Sequence, residues 1–218
     1  PPDPSYISST TVFRAGNPFR IYGEDREPVI GISQVGNATL TYEKKNEFNF
    51  GFDAGLWQNR IGISFDVYTR NNFDEMGIMV TQGLGGEVER AANVAEMRSN
   101  GMELSISSTN IKKKDFSWTT SFVYSYTNTE ITKLFNSGNV ISLVSGTGFP
   151  KRGYPARALF SIPFVGINDE GVPMVINEKG QVTTDDINFQ ERTNTDFLKY
   201  EGPTDPKFTG SLGNIFSY

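Results

Sequence analysis

The chain has 218 residues, with 20 Lys and Arg against 25 Asp and Glu, 22 glycines, 13% aromatic residues, no histidine and no cysteine. Without His or Cys there is no Ser/His or Cys/His nucleophile pair, no zinc site of the usual kind and no disulfide framework, and no pair of carboxylates is singled out by spacing for acid–base work. The acidic balance leaves no nucleic-acid footprint, since Lys112-Lys113-Lys114 is the only basic cluster and suits a solvated turn.

At the amino end, Pro1-Pro2-Asp3-Pro4 has no charged region followed by an apolar stretch, so no signal peptide is visible and an internal cut is expected. Residues 1–40 read as a loop leading into a strand. From Thr41 to Leu56, Phe48, Phe50, Phe52, Ala54 and Leu56 share one parity, while Glu47, Asn49, Gly51, Asp53 and Gly55 share the other. The next run repeats the alternation, with Ile61, Ile63, Phe65 and Val67 opposed by Gly62, Ser64, Asp66, Tyr68 and Arg70. If Trp57 pairs with Arg60 around Gln58-Asn59, every cross-strand pair sums to 117, which sets Phe52 beside Phe65, Asp53 opposite Ser64 and Gly51 opposite Asp66.

A glycine-rich connection is expected over 71–92, with Gly83, Gly85 and Gly86 clustered. A second hairpin follows. Met102, Leu104 and Ile106 are even-numbered, as are Phe116, Trp118, Phe122, Tyr124 and Tyr126, with Ser117, Thr119, Ser121 and Ser125 between them. Centring the turn near Lys112 sets Ile106 opposite Trp118. From 127 to 205 a long connection is expected, in which Asn168-Asp169-Glu170-Gly171 and Asn177-Glu178-Lys179-Gly180 signal small hairpins. A further strand starts within 206–218, and Lys207 to Tyr218 is expected to stop inside it.

Four strands over 41–126, short turns alternating with long connections, and a span near the roughly 9–11 tilted residues that cross a bilayer fit an antiparallel transmembrane β-barrel. A mean hydropathy of -0.38 is compatible with it, because alternating strands never build the run of about 18 apolar residues that marks a membrane helix. Pattern alone divides evenly between lipid and a soluble β-sandwich core as what the aromatic face meets.

Several stretches carry a family likeness. They are Tyr42-Glu43-Lys44 leading into the strand that ends near Gly51-Phe52-Asp53, Asn59-Arg60-Ile61 with Asp66-Val67-Tyr68, and Asn93-Val94 followed by Asn100-Gly101-Met102-Glu103-Leu104. Asp115-Phe116-Ser117-Trp118, then Gly153-Tyr154-Pro155 with Gly166-Ile167-Asn168-Asp169-Glu170-Gly171-Val172-Pro173, and finally Thr204-Asp205-Pro206-Lys207-Phe208 continue it. In this order they resemble the carboxy-terminal barrel of SusC-like (RagA-like) TonB-dependent transporters of the Bacteroidota outer membrane, although Tyr42 stands where tryptophan is usual and Val94-Ala95 replaces the common Val-Gly. The likeness runs from about residue 37.

The resemblance implies a fragment of a plugged barrel of roughly 22 strands, with short periplasmic turns and long extracellular loops at 71–92 and 127–205. It implies TonB-dependent import of a glycan, oligosaccharide or peptide, a SusD-like lipoprotein lid, and no chemistry or cofactor of its own. Phe48, Phe50, Phe52, Ile63, Phe65, Leu104, Trp118 and Phe122 would then face lipid. Trp57, Trp118, Tyr42, Tyr124 and Tyr126 would include members of the interfacial girdles. Asp53, Asp66, Tyr68, Arg70 and Glu103 are candidates to touch plug or cargo across the lumen, with plain hydration of the lumen as the blander account. Tyr154, Arg157, Phe160 and Phe164 are candidates to touch lid or cargo, with packing of the loop itself as the alternative. Asp169, Glu170, Asp185 and Asp186 are acidic enough for calcium, but neither spacing makes an EF-hand loop. The other readings are a passive porin without a plug, and a soluble or surface β-domain for adhesion.

Overall fold

The computed structural model describes residues 11–19, 27–34, 36–80 and 89–218. Their secondary structure is almost all β. The strands are β1 (Val12–Phe19), β2 (Glu27–Gln34), β3 (Lys44–Leu56), β4 (Ile61–Val80), β5 (Glu89–Lys112), β6 (Ser117–Leu134), β7 (Ala158–Ser161), β8 (Phe164–Ile167), β9 (Pro173–Ile176), β10 (Val182–Thr183), β11 (Lys199–Pro203) and β12 (Phe208–Ser217), with one short helix, α1 (Val140–Leu143). Five of them form an antiparallel sheet in the order β12-β6-β5-β4-β3, and smaller sheets pair β1 with β2, β11 with β7, and β10-β9-β8.

The chain divides into two compact units. The first comprises the stretches up to Lys44, Asn72–Glu96 and Lys133–Asn136; the second comprises Lys45–Asn71, Met97–Thr132 and Ser137–Tyr218.

Within the second unit, the β3–β4 hairpin closes at 57–60, where the Arg60 N–H donates to the Trp57 carbonyl at 3.2 Å. Trp57, Gln58 and Asn59 all take positive φ (50°, 58° and 63°), the hand that matches strand twist in a two-residue turn but which a bulky Trp adopts only under constraint. The contacts on the polar face agree with the 117 register. Glu47 bonds Arg70, and a Cβ built on Gly51 falls 2.5 Å from the Asp66 carboxylate.

The second hairpin keeps its parity but not its expected register. Its turn lies at 113–116, where Lys113 donates to the Phe116 carbonyl at 2.8 Å, and Asn110 Nδ2 reaches Thr120 Oγ1 at 2.6 Å. Even positions thus still meet even ones, but a centre at Lys112 would have set Asn110 beside Lys114. Asp115 and Phe116, expected to open the strand, belong to the turn, which moves it towards the carboxy end.

Two connections are shorter than the sequence suggests. β4 runs on to Val80 and β5 begins at Glu89, well inside the loop expected over 71–92, and β6 continues to Leu134 rather than stopping at 126. Past Val67 and Tyr126 both parities carry polar residues such as Thr69, Arg70, Asn71, Asn128 and Glu130, so alternation vanishes while strand pairing persists. The Gly83, Gly85 and Gly86 cluster lies outside the described residues. The stretch read as a loop over 1–40 holds the β1–β2 hairpin, whose pairing has irregularities at Val12/Phe13 and between Gly16 and Phe19 that break the period of two.

Residues 137–207 carry a core of their own. Val140, Leu143, Ala158, Phe160 and Leu198 are buried together, with Phe149, Tyr154, Phe197 and Tyr200 packed against them. Asn139 caps α1, its Oδ1 accepting from the Ser142 N–H at 3.1 Å. Each predicted small hairpin closes on an asparagine: Asn168 accepts from the Glu170 and Val172 amides (3.0 and 2.8 Å) before Gly171 at φ 82°, and buried Asn177 accepts from Lys179 and Gln181 (3.1 and 2.9 Å) before Gly180 at φ 74°.

Candidate functional site

The two faces of the five-stranded sheet differ in chemistry. On one, Phe48, Phe50 and Phe52 of β3 are 69%, 59% and 55% exposed, and Phe208, Leu212 and Phe216 of β12 are 60%, 69% and 62% exposed. Phe122 is also exposed, while Ile63, Phe65, Leu104 and Trp118 are half-buried among their neighbours. β12 joins this face in register, with Phe208↔Tyr126, Leu212↔Phe122 and Phe216↔Trp118. The Trp118 and Phe216 rings stack at 5.6 Å, and Tyr126 meets Phe208 at 5.0 Å. Such a row of uncovered large apolar side chains has no place in a water-facing sheet.

The apolar band ends sharply. On the same parity, the next residues along β4 and β5 are joined by polar bonds, Thr69 to Asn100 at 2.7 Å and Arg98 to Asn71 at 3.0 Å.

On the other face, a side-chain bridge crosses four strands. The Arg70 guanidinium grips Glu47 with two bonds, 3.1 and 3.3 Å, and lies 5.3 Å from the centre of the Tyr68 ring. Lys45 adds a second cation to Glu47. Tyr68 extends across β5 to share a 2.9 Å hydrogen bond with Thr127. It passes over Gly101, where a Cβ would stand 2.4 Å from the ring, so glycine is what allows an aromatic side chain to lie flat on the sheet there. Of the candidates for this face, the structure thus brings together Tyr68 and Arg70. Asp53 lines an open groove of about 360 Å³ with Gly55, Gly62, Ser64, Ser105 and Ser107. Asp66 is half-buried against Gly51, and Glu103 is exposed. Glu47, Gly101 and Thr127 were missed, although the 117 register already sets Glu47 against Arg70.

In the first unit, the Tyr42-Glu43-Lys44 and Asn93-Val94 motifs acquire a physical role. Asn93 accepts from the Thr41 N–H and donates to the Thr41 carbonyl, each at 2.8 Å, so its amide takes the place of a neighbouring strand. It also donates to the carbonyl of Asp74, a non-glycine residue at φ 58°. Glu43 accepts from the Met76 N–H at 2.9 Å and Lys44 pairs with Asp74 at 2.8 Å. Tyr42 is 88% exposed. Asn37, buried, gives its amide to the Ala91 carbonyl at 3.0 Å.

The four candidates in the long connection separate. Phe160 is 6% exposed and packs in the core of that segment with Val140, Leu143, Ala158 and Leu198. Tyr154 is half-buried, edge-on to Phe160 at 5.0 Å and 4.9 Å from Tyr200. Burial and the neighbouring Tyr154 push the Tyr200 hydroxyl above its ordinary range. Lys151 lies 5.6 and 5.4 Å from the Tyr154 and Phe160 rings and donates to the Thr195 carbonyl at 3.0 Å. Arg157 pairs with Asp205 at 3.1 Å and Phe164 is 64% exposed, so both remain on the surface. Among the acidic residues, Asp186 bonds Lys179 at 3.1 Å and raises its pKa, and among the described residues no three metal-ligating side chains gather. Glu191 holds the turn after it: the Thr193 hydroxyl and the amides of Asn194, Thr193 and Arg192 bring its pKa down to about 2.

A sheet with one uncovered aromatic face and one polar, bridged face, joined by one-sided short turns and a long packed connection, is the wall of an antiparallel membrane β-barrel. The chain belongs to the family described as TonB dependent receptor-like, beta-barrel, whose model matches residues 4–218. Among curated relatives, it is 29% identical to TonB-dependent receptor SusC of Bacteroides thetaiotaomicron over 68% of this chain and 16% of that protein. It is 32% identical to TonB-dependent receptor P39 of Formosa agariphila over 56% of this chain and 11% of that protein. Among solved structures, it matches the RagAB peptide transporter with a TM-score of 0.74 and 26% identity, over 96% of this chain and 22% of that one. The chain therefore spans less than a quarter of the proteins it resembles. It is an outer-membrane protein of a receptor family, not an enzyme.

Proposed function

We propose that the parent protein imports a large nutrient, a glycan, oligosaccharide or peptide, by TonB-dependent active transport, with a SusD-like surface lipoprotein as its lid. This chain would supply a stretch of barrel wall and a packed extracellular cap over 137–207. The observation that carries the reading is the two-faced sheet: uncovered Phe48, Phe50, Phe52 and Phe122 on one side, which would meet lipid, and the Glu47–Arg70–Tyr68–Thr127 bridge on the other, which would face a lumen holding plug or cargo. The match to a peptide transporter supports peptides as one cargo class.

The test is to purify the native protein from detergent-solubilised outer membranes and weigh it with whatever accompanies it. A parent several times larger than 24.2 kDa, accompanied by a lipoprotein, is the expected result. A chain of this size that stays in solution without detergent would point to the surface β-domain instead, and uptake unaffected by loss of TonB would point to a passive porin.

A further inference from the structure

We propose that the unpaired edge of β8 is a docking strand for an extended, lysine- or arginine-rich segment of a partner protein. In the β10-β9-β8 sheet, β8 bonds only to β9, and among the described residues no strand covers its other side. Its side chains are not those of a protected edge. Phe164, Val165 and Ile167 are 64%, 50% and 63% exposed, and β8 contains no charge, whereas sheet edges meant to stay solitary carry lysine or other charges that repel a second chain. The register passes from Phe164↔Val175 to Gly166↔Met174, so Val165 is set against no partner in β9.

The charge around this edge selects what docks. Along the sequence, Phe164 to Leu198 carries seven carboxylates against Lys179 and Arg192, of which Asp186 pairs with Lys179 and Asp196 with Lys151, so the unpaired charge next to β8 is that of Asp169 and Glu170. Asp169 and Glu170, both exposed, stand at the turn that ends β8. Strand addition supplies backbone hydrogen bonds and receives alternate apolar side chains, while the acidic surround draws in a cationic segment and turns away an anionic one. The edge belongs to the 137–207 segment, so the inference does not rest on the transport reading.

The experiment uses the full-length protein in detergent and two fluorescein-labelled probes, Lys-Val-Lys-Val-Lys-Val-Lys and its Glu-for-Lys counterpart. The basic probe is expected to bind saturably, at least about tenfold more tightly than the acidic one, and more weakly as salt screens the field. Amide exchange should slow in β8, and Ile167→Lys or Phe164→Lys should reduce binding about tenfold while exchange in β7 and β11 stays unchanged. Equal binding of the two probes, or no slowing in β8, would overturn the proposal. So would β8 amides already protected in the probe-free protein, which would assign the edge to another part of the same chain. TonB-dependent uptake of the basic probe, lost in Ile167→Lys, would assign it to cargo and overturn the partner.

Discussion

Gly101→Ala tests how the polar face is built. The new methyl would sit 2.4, 2.5 and 2.7 Å from Tyr68 Cζ, Oη and Cε1, so the ring must leave the sheet. With it go the 2.9 Å hydrogen bond to Thr127, worth about 0.5–1.5 kcal/mol, and the Arg70–ring contact, worth about 0.5–1 kcal/mol at an accessible site. Replacing a strand glycine by alanine returns roughly 0.5–1 kcal/mol of backbone entropy, so the net loss should be about 1 kcal/mol. The decisive comparison is a double-mutant cycle on the full-length barrel, followed by denaturant unfolding in detergent. In a Tyr68→Ala background the clash is gone, and Gly101→Ala should become neutral or stabilising. If Gly101→Ala costs the same with and without the Tyr68 ring, the bridge does not depend on the glycine and the reasoning fails.

Two further outcomes follow from the same geometry. Phe65→Arg, on the uncovered face near mid-band, should destabilise the full-length barrel by about 2–4 kcal/mol, while Asp66→Asn on the opposite face should change little; insertion and unfolding unaltered by Phe65→Arg would contradict a lipid-facing position. Because the pKa of Glu191 is lowered to about 2 from 4.5, its contribution to the 188–194 turn is present above about pH 4.5 and is lost as pH falls towards 2. Amide exchange of Thr193 and Asn194 should therefore quicken across that window, and an exchange profile identical to that of Glu191→Gln would refute the role.

How far the sequence could be read depended on what each face meets. The β3–β4 hairpin was legible because its turn and alternation demand the same register, and Glu47, Arg70, Gly51 and Asp66 meet as that register requires. The end of β4, the start of β5 and the end of β6 were not, because residues such as Arg70 and Asn71, or Asn128 and Thr129, are polar on both sides and leave no period to detect. The setting of Phe160 was not legible for the opposite reason: a local core gathered from α1, β7 and Leu198 draws single apolar residues from distant points, and no spacing marks them. The bridge over Gly101 was half-visible, since its members stood in the alternation but the reach of Tyr68 to Thr127 spans a strand and appears only in three dimensions.

The cap over 137–207 is tied at both ends to strands that pair with each other without interruption, Phe208↔Tyr126 through Ser217↔Ser117. It has a core of its own, and it meets the wall where Gly153 and Tyr154 exchange backbone bonds with Ile131 of β6, each at 2.9 Å. Replacing its outer residues, or lengthening its hairpins beyond Asn168 and Asn177, would leave the register of β6 and β12 where it is. The wall can thus keep one geometry while the cap is rewritten, in the way a fixed instrument accepts interchangeable heads, and differences between related chains in what they meet outside the membrane are expected to concentrate there.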